Sequence, residues 1–246
     1  MSLTEVQVVS NPLKQSAADE AARARNLVAA ERKAVELFDE VTRRGLIKPG
    51  LPESAVSDQV RDLAADLFGT KKHWHKRIVR SGENTLEPYK ANPPDRVIGE
   101  DDIVFLDFGP VFEEWEADFG RTYVLGDDPV KLQLTADLPE VWAAGRAYFE
   151  DHPDVTGAEL YAQVCRLAED AGWEFGGPHS GHLVGEFPHE LIDADLVNSY
   201  IAPSNTNRLR GRDDAGRDCH WILEIHLVDR QRGFGGFFEQ LLTLSR

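Results

Sequence analysis

A chain of 246 residues that is 41% hydrophobic can bury a sizeable core, as one large domain or two small ones. Its formal charge of −16 at pH 7 argues against nucleic acid and anionic membrane surfaces as partners, since both attract an excess of Lys and Arg. Two cysteines, Cys165 and Cys219, are too few for a disulfide framework, and no apolar run resembles a signal peptide or a membrane span, so a cytoplasmic location is expected.

Residues 1–16 lack strong periodicity and read as an N-terminal extension; 17–246 read as one domain. From 17 to 44, Leu27, Val28, Val35, Leu37, Phe38 and Val41 predict an amphipathic helix stopped by Gly45. A second helix is predicted over 53–68, with Val56, Val60, Leu63, Ala64 and Leu67 on one stripe. Residues 73–80 read as a strand and 81–84 as a turn. Strands are predicted over 102–109 and 115–126, joined as a hairpin through Glu113-Glu114. A helix is expected over 137–152, capped by Asp137 with Pro139 in its first turn, while Asp127-Asp128-Pro129 reads as a turn. The next helix, 156–172, opens with Thr156 and Glu159 in capping-box spacing and carries Cys165 as a buried thiol. Residues 173–190 are irregular, 191–219 read as a loop or flap, and two last strands are predicted over 220–228 and 236–244. Two helices, strands, two helices, strands make a pseudo-symmetric α+β arrangement.

Five residues carry the chemistry. Asp107 ends the run Ile-Val-Phe-Leu-Asp, Asp118 follows eleven residues later, His182 stands in Ser-Gly-His-Leu-Val-Gly, Glu224 in Trp-Ile-Leu-Glu-Ile-His-Leu, and Glu239 in Phe-Phe-Glu-Gln-Leu-Leu. A carboxylate within a buried strand is expensive unless a cation or donor compensates it. On a hairpin, Asp107 and Asp118 are expected to face each other across the ladder, where two carboxylates repel. Either one alone also reads as a loop-edge acid in a chain with 43 acidic residues, and His182 alone as a hydrogen-bonded core histidine. The joint set calls for a highly charged cation, and oxygen donors with one nitrogen suit Mn, Fe, Co or Zn.

Asp107-Phe-Gly, Asp118-Phe-Gly-Arg-Thr, Gly181-His182-Leu-Val-Gly185-Glu-Phe-Pro-His189-Glu190 and the two strand glutamates together resemble the methionine aminopeptidase/prolidase/creatinase family. The closest likeness is to Xaa-Pro peptidase-like members without an N-terminal domain. The resemblance implies the pita-bread fold, a curved antiparallel sheet covered by two pairs of helices, and two divalent ions (Mn, Co, Fe or Zn). Asp107 and Glu239 would bridge or chelate both, Asp118 would bind one, and His182 with Glu224 the other. Glu224 would also transfer a proton, and His189 would contact substrate or stabilise the intermediate. A homodimer acting on a small peptide or small molecule is expected.

Three departures bear on substrate. The family's Pro-His upstream of the first Asp is replaced by Pro88-Tyr89-Lys90; either one of His73 and His75, on alternate strand positions, substitutes for it, or the role is gone. Glu224 is followed by Ile225-His226 in place of Pro-Gly, so His226 is expected to share its face. Phe237, Phe238 and Gln240 surround Glu239 where the family often has an Arg and an Asp. His73, His75, His179, His226 and Tyr89 are therefore the expected substrate-binding residues. An Xaa-Pro dipeptidase or aminopeptidase reading leads. A creatinase-like hydrolase of a non-peptide C–N bond and a non-catalytic binding module of the same fold are the alternatives.

Overall fold

In the computed structural model, residues 12–188, 197–213 and 216–244 are described. The first helix pair is α1 (Pro12–Arg44) and α2 (Glu53–Phe68). The left-handed conformation of Gly69, φ 67°, ends α2 and turns its N–H back onto the Ala64 and Ala65 carbonyls, a geometry that glycine adopts without strain. The second pair is α3 (Pro129–Asp151) and α4 (Gly157–Asp170). The capping box of α4 forms as expected: the Thr156 hydroxyl accepts from Glu159 N, and the Glu159 carboxylate accepts from Thr156 N. Cys165, expected to be buried, is half-buried on α4.

The start of α3 differs from expectation. The helix begins at Pro129, because the Asp128 carboxylate accepts from Val130 N at 2.8 Å and Lys131 N at 3.3 Å and Pro129 supplies a preset φ. Pro139 lies inside the helix, and Asp137 accepts a bond from Trp173 Nε1 at 2.8 Å instead of capping. The Asp128-Pro129 pair is thus the stronger start signal.

The strands are β1 (Ile78–Ser81), β2 (Ile103–Phe108), β3 (Val111–Phe112), β4 (Trp115–Glu116), β5 (Phe119–Val124), β6 (Glu174–Phe175), β7 (Leu183–Val184), β8 (His220–Asp229) and β9 (Phe234–Leu241). Seven of them form one antiparallel sheet in the order β1-β2-β5-β9-β8-β6, with β7 also on β8; β3 and β4 make a small hairpin turning at Glu113 (φ 62°) and Glu114. The strand expected over 73–80 begins only at Ile78, and residues 73–77 leave the ladder apart from one bridge, His73 to Pro110. The turn expected at 81–84 is a short 3₁₀ helix, Gly82–Leu86.

Alternation along the strands divides the sheet into two faces. Val104, Leu106 and Phe108 pack with Leu37, Phe38 and Val41 of α1 and with Val56 and Val60 of α2. Leu223, Ile225 and Leu227 pack with Leu134, Leu138 and Trp142 of α3 and with Leu160 and Val164 of α4. Burial of these residues drives both helix pairs onto one face. The alternate residues, Phe105, Asp107, Glu224, His226, Phe237 and Glu239, are left on the other. Among the described residues, no helix is long and apolar enough to cross a membrane.

Candidate metal centre

Register builds the centre. Asp107 on β2 stands opposite Ile78 on β1 and Gly120 on β5; Gly120 stands opposite Glu239 on β9, and Glu239 opposite Glu224 on β8. Directly opposed residues project to one side. Asp107, Glu239 and Glu224 therefore form a row across the sheet, interrupted at Gly120. A Cβ at Gly120 would lie 2.5 Å from the Phe237 ring and 3.1 Å from Glu239 Cβ, so only glycine leaves this part of the row open. Asp118 is two residues before Gly120 and joins the row diagonally. It does not face Asp107 directly, as the hairpin reading supposed: the two-residue turn at Glu113-Glu114 sets one register through β3–β4 and β2–β5, which pairs Asp107 with Gly120.

Two histidines close over the carboxylates from opposite halves of the sheet. His182 follows Gly181, whose φ of 141° brings the chain against β8; a Cβ there would fall 2.1 Å from the Ile222 carbonyl oxygen. Bonds from Ile222 N to His182 O at 2.9 Å and from Glu224 N to Ser180 O at 3.0 Å hold that approach. His182 Nε2 then lies 3.0 Å from Asp118 Oδ2, 3.6 Å from Glu224 Oε1 and 3.8 Å from Glu239 Oε1. His75 Nε2 lies 3.0 Å from the other Asp118 oxygen, Oδ1, and 3.5 Å from Asp107 Oδ1. The five residues singled out in the sequence thus converge, and His75 joins them. Among the described residues two donor sets result, His75/Asp107/Asp118 and Asp118/His182/Glu239, each with its donor atoms within 4.8 Å of one another.

The electrostatics favour a cation. Burial raises the Asp107 carboxyl, and the charge of Asp118 adds to this against the pull of His75. Burial also lifts Glu224 and Glu239 above the ordinary carboxylate range, helped by the neighbouring aspartates. Asp118 moves the other way: burial would raise it, but His75 and His182 hold it well below. Burial opposes the charged forms of both histidines, yet the Asp118 carboxylate prevails, carrying His75 to about 9 and His182 upward. Glu239 Oε2 is buried without a hydrogen-bond partner, a costly state that a cation relieves. Carboxylate oxygens with imidazole nitrogens fit Mn, Fe, Co or Zn.

The expected substrate residues divide. His179 Nδ1 is 3.5 Å from Glu224 Oε2, and its ring meets Tyr200 at 4.8 Å, which places it beside the carboxylates. Tyr89, 43% exposed, lies at the rim with its ring 5.9 Å from that of His75. His226 shares the face of Glu224, but its Nε2 donates to the Thr85 carbonyl at 2.8 Å and its ring packs against Phe105 and Phe237; the expected role in substrate binding does not fit a nitrogen already engaged there. His73 and His75 do not act as alternates on one strand. With the ladder ended, His73 lines a cavity with Arg61, Thr70, Lys71 and His75, and its ring meets the edge of Phe108. His189 lies outside the described residues.

Sequence reasoning passed over three contributors. Trp74 stacks edge-on against both His75, at 4.5 Å, and His182, at 5.1 Å. Arg121 and Thr122 tie β5 to β9, which share only the Gly120–Glu239 ladder pair: Arg121 Nη1 donates to Glu239 O at 2.9 Å, and Thr122 Oγ1 donates to Phe237 O at 2.8 Å and accepts from Phe237 N at 2.7 Å. The guanidinium of Arg121 is sandwiched between Phe119 and Phe238 and reaches Gln240 Oε1, which accounts for two of the unusual residues around Glu239. The run Phe-Gly-Arg-Thr directly after Asp118 entered the family resemblance, but its Arg and Thr were not read as ties between strands.

The sequence profile of a family described as "Metallopeptidase family M24" matches residues 25–212. The chain is 27% identical over 170 residues to a putative Xaa-Pro aminopeptidase of Mycoplasma genitalium, covering 65% of this chain and 47% of that protein. It is 26% identical over 163 residues to an Xaa-Pro dipeptidase of Lactobacillus delbrueckii subsp. lactis, covering 65% and 44%. The chain spans about half the length of the curated relatives it matches. Among solved structures, it superposes on recombinant prolidase from Thermococcus sibiricus with a TM-score of 0.68 and 21% identity, over 92% of this chain and 59% of that one. At that identity the likeness speaks to the fold.

Proposed function

We propose, from the fact that this chain belongs to metallopeptidase family M24, that it is a two-metal hydrolase of the Xaa-Pro dipeptidase or aminopeptidase type, cleaving the C–N bond of a small peptide or related amide. One observation carries the two-ion reading: the two oxygens of Asp118 point into two different donor sets, toward His75 and Asp107 on one side and toward His182 on the other. This favours Asp118, with Glu239, as the shared ligand, and Asp107 as the ligand of one ion. His182 and Glu224 serve the second ion.

Divalent ions in such a centre acidify water and polarise a carbonyl. Glu224 faces the cleft next to His179, and its carboxylate takes the proton of the attacking water and returns it to the leaving nitrogen. His179, 3.5 Å from Glu224, orients that carboxylate and borders the scissile group. His189, outside the described residues, is assigned the stabilisation of the developing oxyanion. Tyr89 borders the entrance, and Phe237, packed on Phe105 in a buried apolar cluster, stands where family peptidases often carry an Arg. The loss of that charged partner favours a second reading of specificity, a small amide with an apolar group in place of a good Xaa-Pro substrate, because a pocket discriminates mainly through the polar partners it offers.

The test is metal analysis together with a hydrolysis screen. Apoprotein reloaded with Mn, Co or Zn is expected to bind two ions per chain and to cleave Xaa-Pro dipeptides slowly and Met-peptides weakly or not at all. A single bound ion would overturn the two-metal reading. Turnover of Met-peptides or Xaa-Pro dipeptides at ordinary enzymatic rates, roughly 10 per second, would overturn the specificity reading.

A further inference from the structure

His75 is placed as a mirror of His182. Its Nδ1 meets the carbonyl of the next residue, Lys76, at 2.7 Å, just as His182 Nδ1 meets the carbonyl of Leu183 at 2.7 Å. A carbonyl only accepts, so each Nδ1 carries the hydrogen and each Nε2 is turned to the carboxylates. Each Nε2 stands 3.0 Å from a different oxygen of the same residue, Asp118. An imidazole fixed by an Nδ1–H bond to a backbone carbonyl, with Nε2 directed inward, is the arrangement of a metal-ligating histidine.

Close packing holds His75 there. A Cβ at Gly109 would sit 2.2 Å from the His75 ring, so the strand end that carries Asp107 lies directly against the imidazole. Trp74 N donates to the Gly109 carbonyl at 2.9 Å, and Trp74 Nε1 to the Ala117 carbonyl at 3.2 Å. The segment before β1 is thereby tied both to the residue just after β2 and to the residue preceding Asp118. The His75 side chain is 5% exposed, leaving little room for a substrate between it and the carboxylates.

We propose that His75 is a sixth metal ligand, binding through Nε2 the ion held by Asp107 and Asp118, so that each of the two ions has one imidazole. This rests on the two-ion reading above and replaces the expectation that His75 faces substrate. None of the five residues supplied by the family resemblance has this place, and the residue lies thirty-two positions before Asp107, outside any short motif. The competing state is an imidazolium that only donates to Asp118 and positions it.

Cobalt(II) loading separates these states without reference to activity. A histidine bound to paramagnetic Co(II) through Nε2 gives a strongly shifted, solvent-exchangeable Nδ1–H proton resonance, and the carbonyl bonds of both residues slow exchange enough to observe it. The protein loaded with two equivalents of Co(II) is expected to show two such signals. His75→Ala should remove one and His182→Ala the other, and His75→Ala should weaken one ion by at least about tenfold, since even residues that only support a ligand change metal affinity by that much. Should His75→Ala fail to fold, His75→Gln gives the same readout, and two shifted signals that both survive the substitution would overturn the assignment. Two bound cobalt ions with one shifted signal would overturn the assignment of His75 while leaving the two-metal reading standing. Binding of one ion or none would overturn that reading, and this proposal with it.

Discussion

Gly120→Ala tests whether the gap in the carboxylate row is required. The added methyl would lie 2.5 and 2.7 Å from two carbons of the Phe237 ring and 3.1 Å from Glu239 Cβ. Carbon contacts settle near 3.5–4.0 Å, so the ring must retreat by roughly 1 Å. It has little freedom to do so: Phe237 packs against Phe105 at 5.4 Å and His226 at 6.1 Å, and its backbone N and O are both bonded to Thr122 Oγ1. Overpacking of this kind costs about 1–3 kcal/mol. At about 2–4 °C per kcal/mol for a chain of this size, the melting temperature should fall by about 2–12 °C. Because Glu239 is also pressed, metal affinity should fall with it. Calorimetric melts and metal titration read the two effects, and a double-mutant cycle with Phe237→Ala gives the cause. Phe237→Ala alone should destabilise by about 3–5 kcal/mol as a truncated core aromatic. The double variant should lose less than the sum of the singles, by about 1–3 kcal/mol, because the vacated ring makes room for the methyl. Additive losses, or a single variant that melts with the wild type, would refute the argument that the Phe237 ring makes glycine necessary at this position.

Three further outcomes are expected. Gly181→Ala should destabilise by at least about 3 kcal/mol, since it combines a backbone conformation hostile to side chains with a clash against β8, and an unchanged urea midpoint would show that the chain approaches β8 differently. Thr122→Val leaves Phe237 N–H without its acceptor between β5 and β9 and should cost about 1–3 kcal/mol by denaturant titration, with faster amide exchange at Phe237; equal exchange would show that the hydroxyl does not join the strands. Chelation should lower the melting temperature of metal-loaded protein, with a difference approaching about 2.7 kcal/mol when metal stands at a hundred times its dissociation constant, whereas coincident melts would mean that the buried carboxylates need no cation.

Local chemistry made much of this protein legible. Periodicity located α2 and α4, the capping box set the start of α4, and the Glu113-Glu114 connection was recognisable as a tight turn. The five acidic and imidazole residues stood out because each interrupts an apolar run, and charge within a buried strand demands compensation whatever the fold. Where two local signals competed, the reading went astray: Asp137 with Pro139 looked like a helix start, but Asp128 reaches two free N–H groups and begins α3 earlier. Register was legible only in part. The two-residue turn at Glu113-Glu114 by itself pairs Asp107 with Gly120 in place of Asp118, but the placing of Glu239 beside Gly120 and of Glu224 beside Glu239 joins strands far apart in the chain and is decided only by the assembled sheet. The histidines were least legible of all. His73 and His75 share one basic segment and His226 alternates with Glu224 on an apolar strand, yet of the three only His75 reaches the carboxylates. His73 lies where the ladder has ended, and His226 is drawn to a carbonyl of the 3₁₀ helix. An imidazole takes its role from whichever charge or carbonyl lies within about 3 Å, and only tertiary packing decides that neighbour.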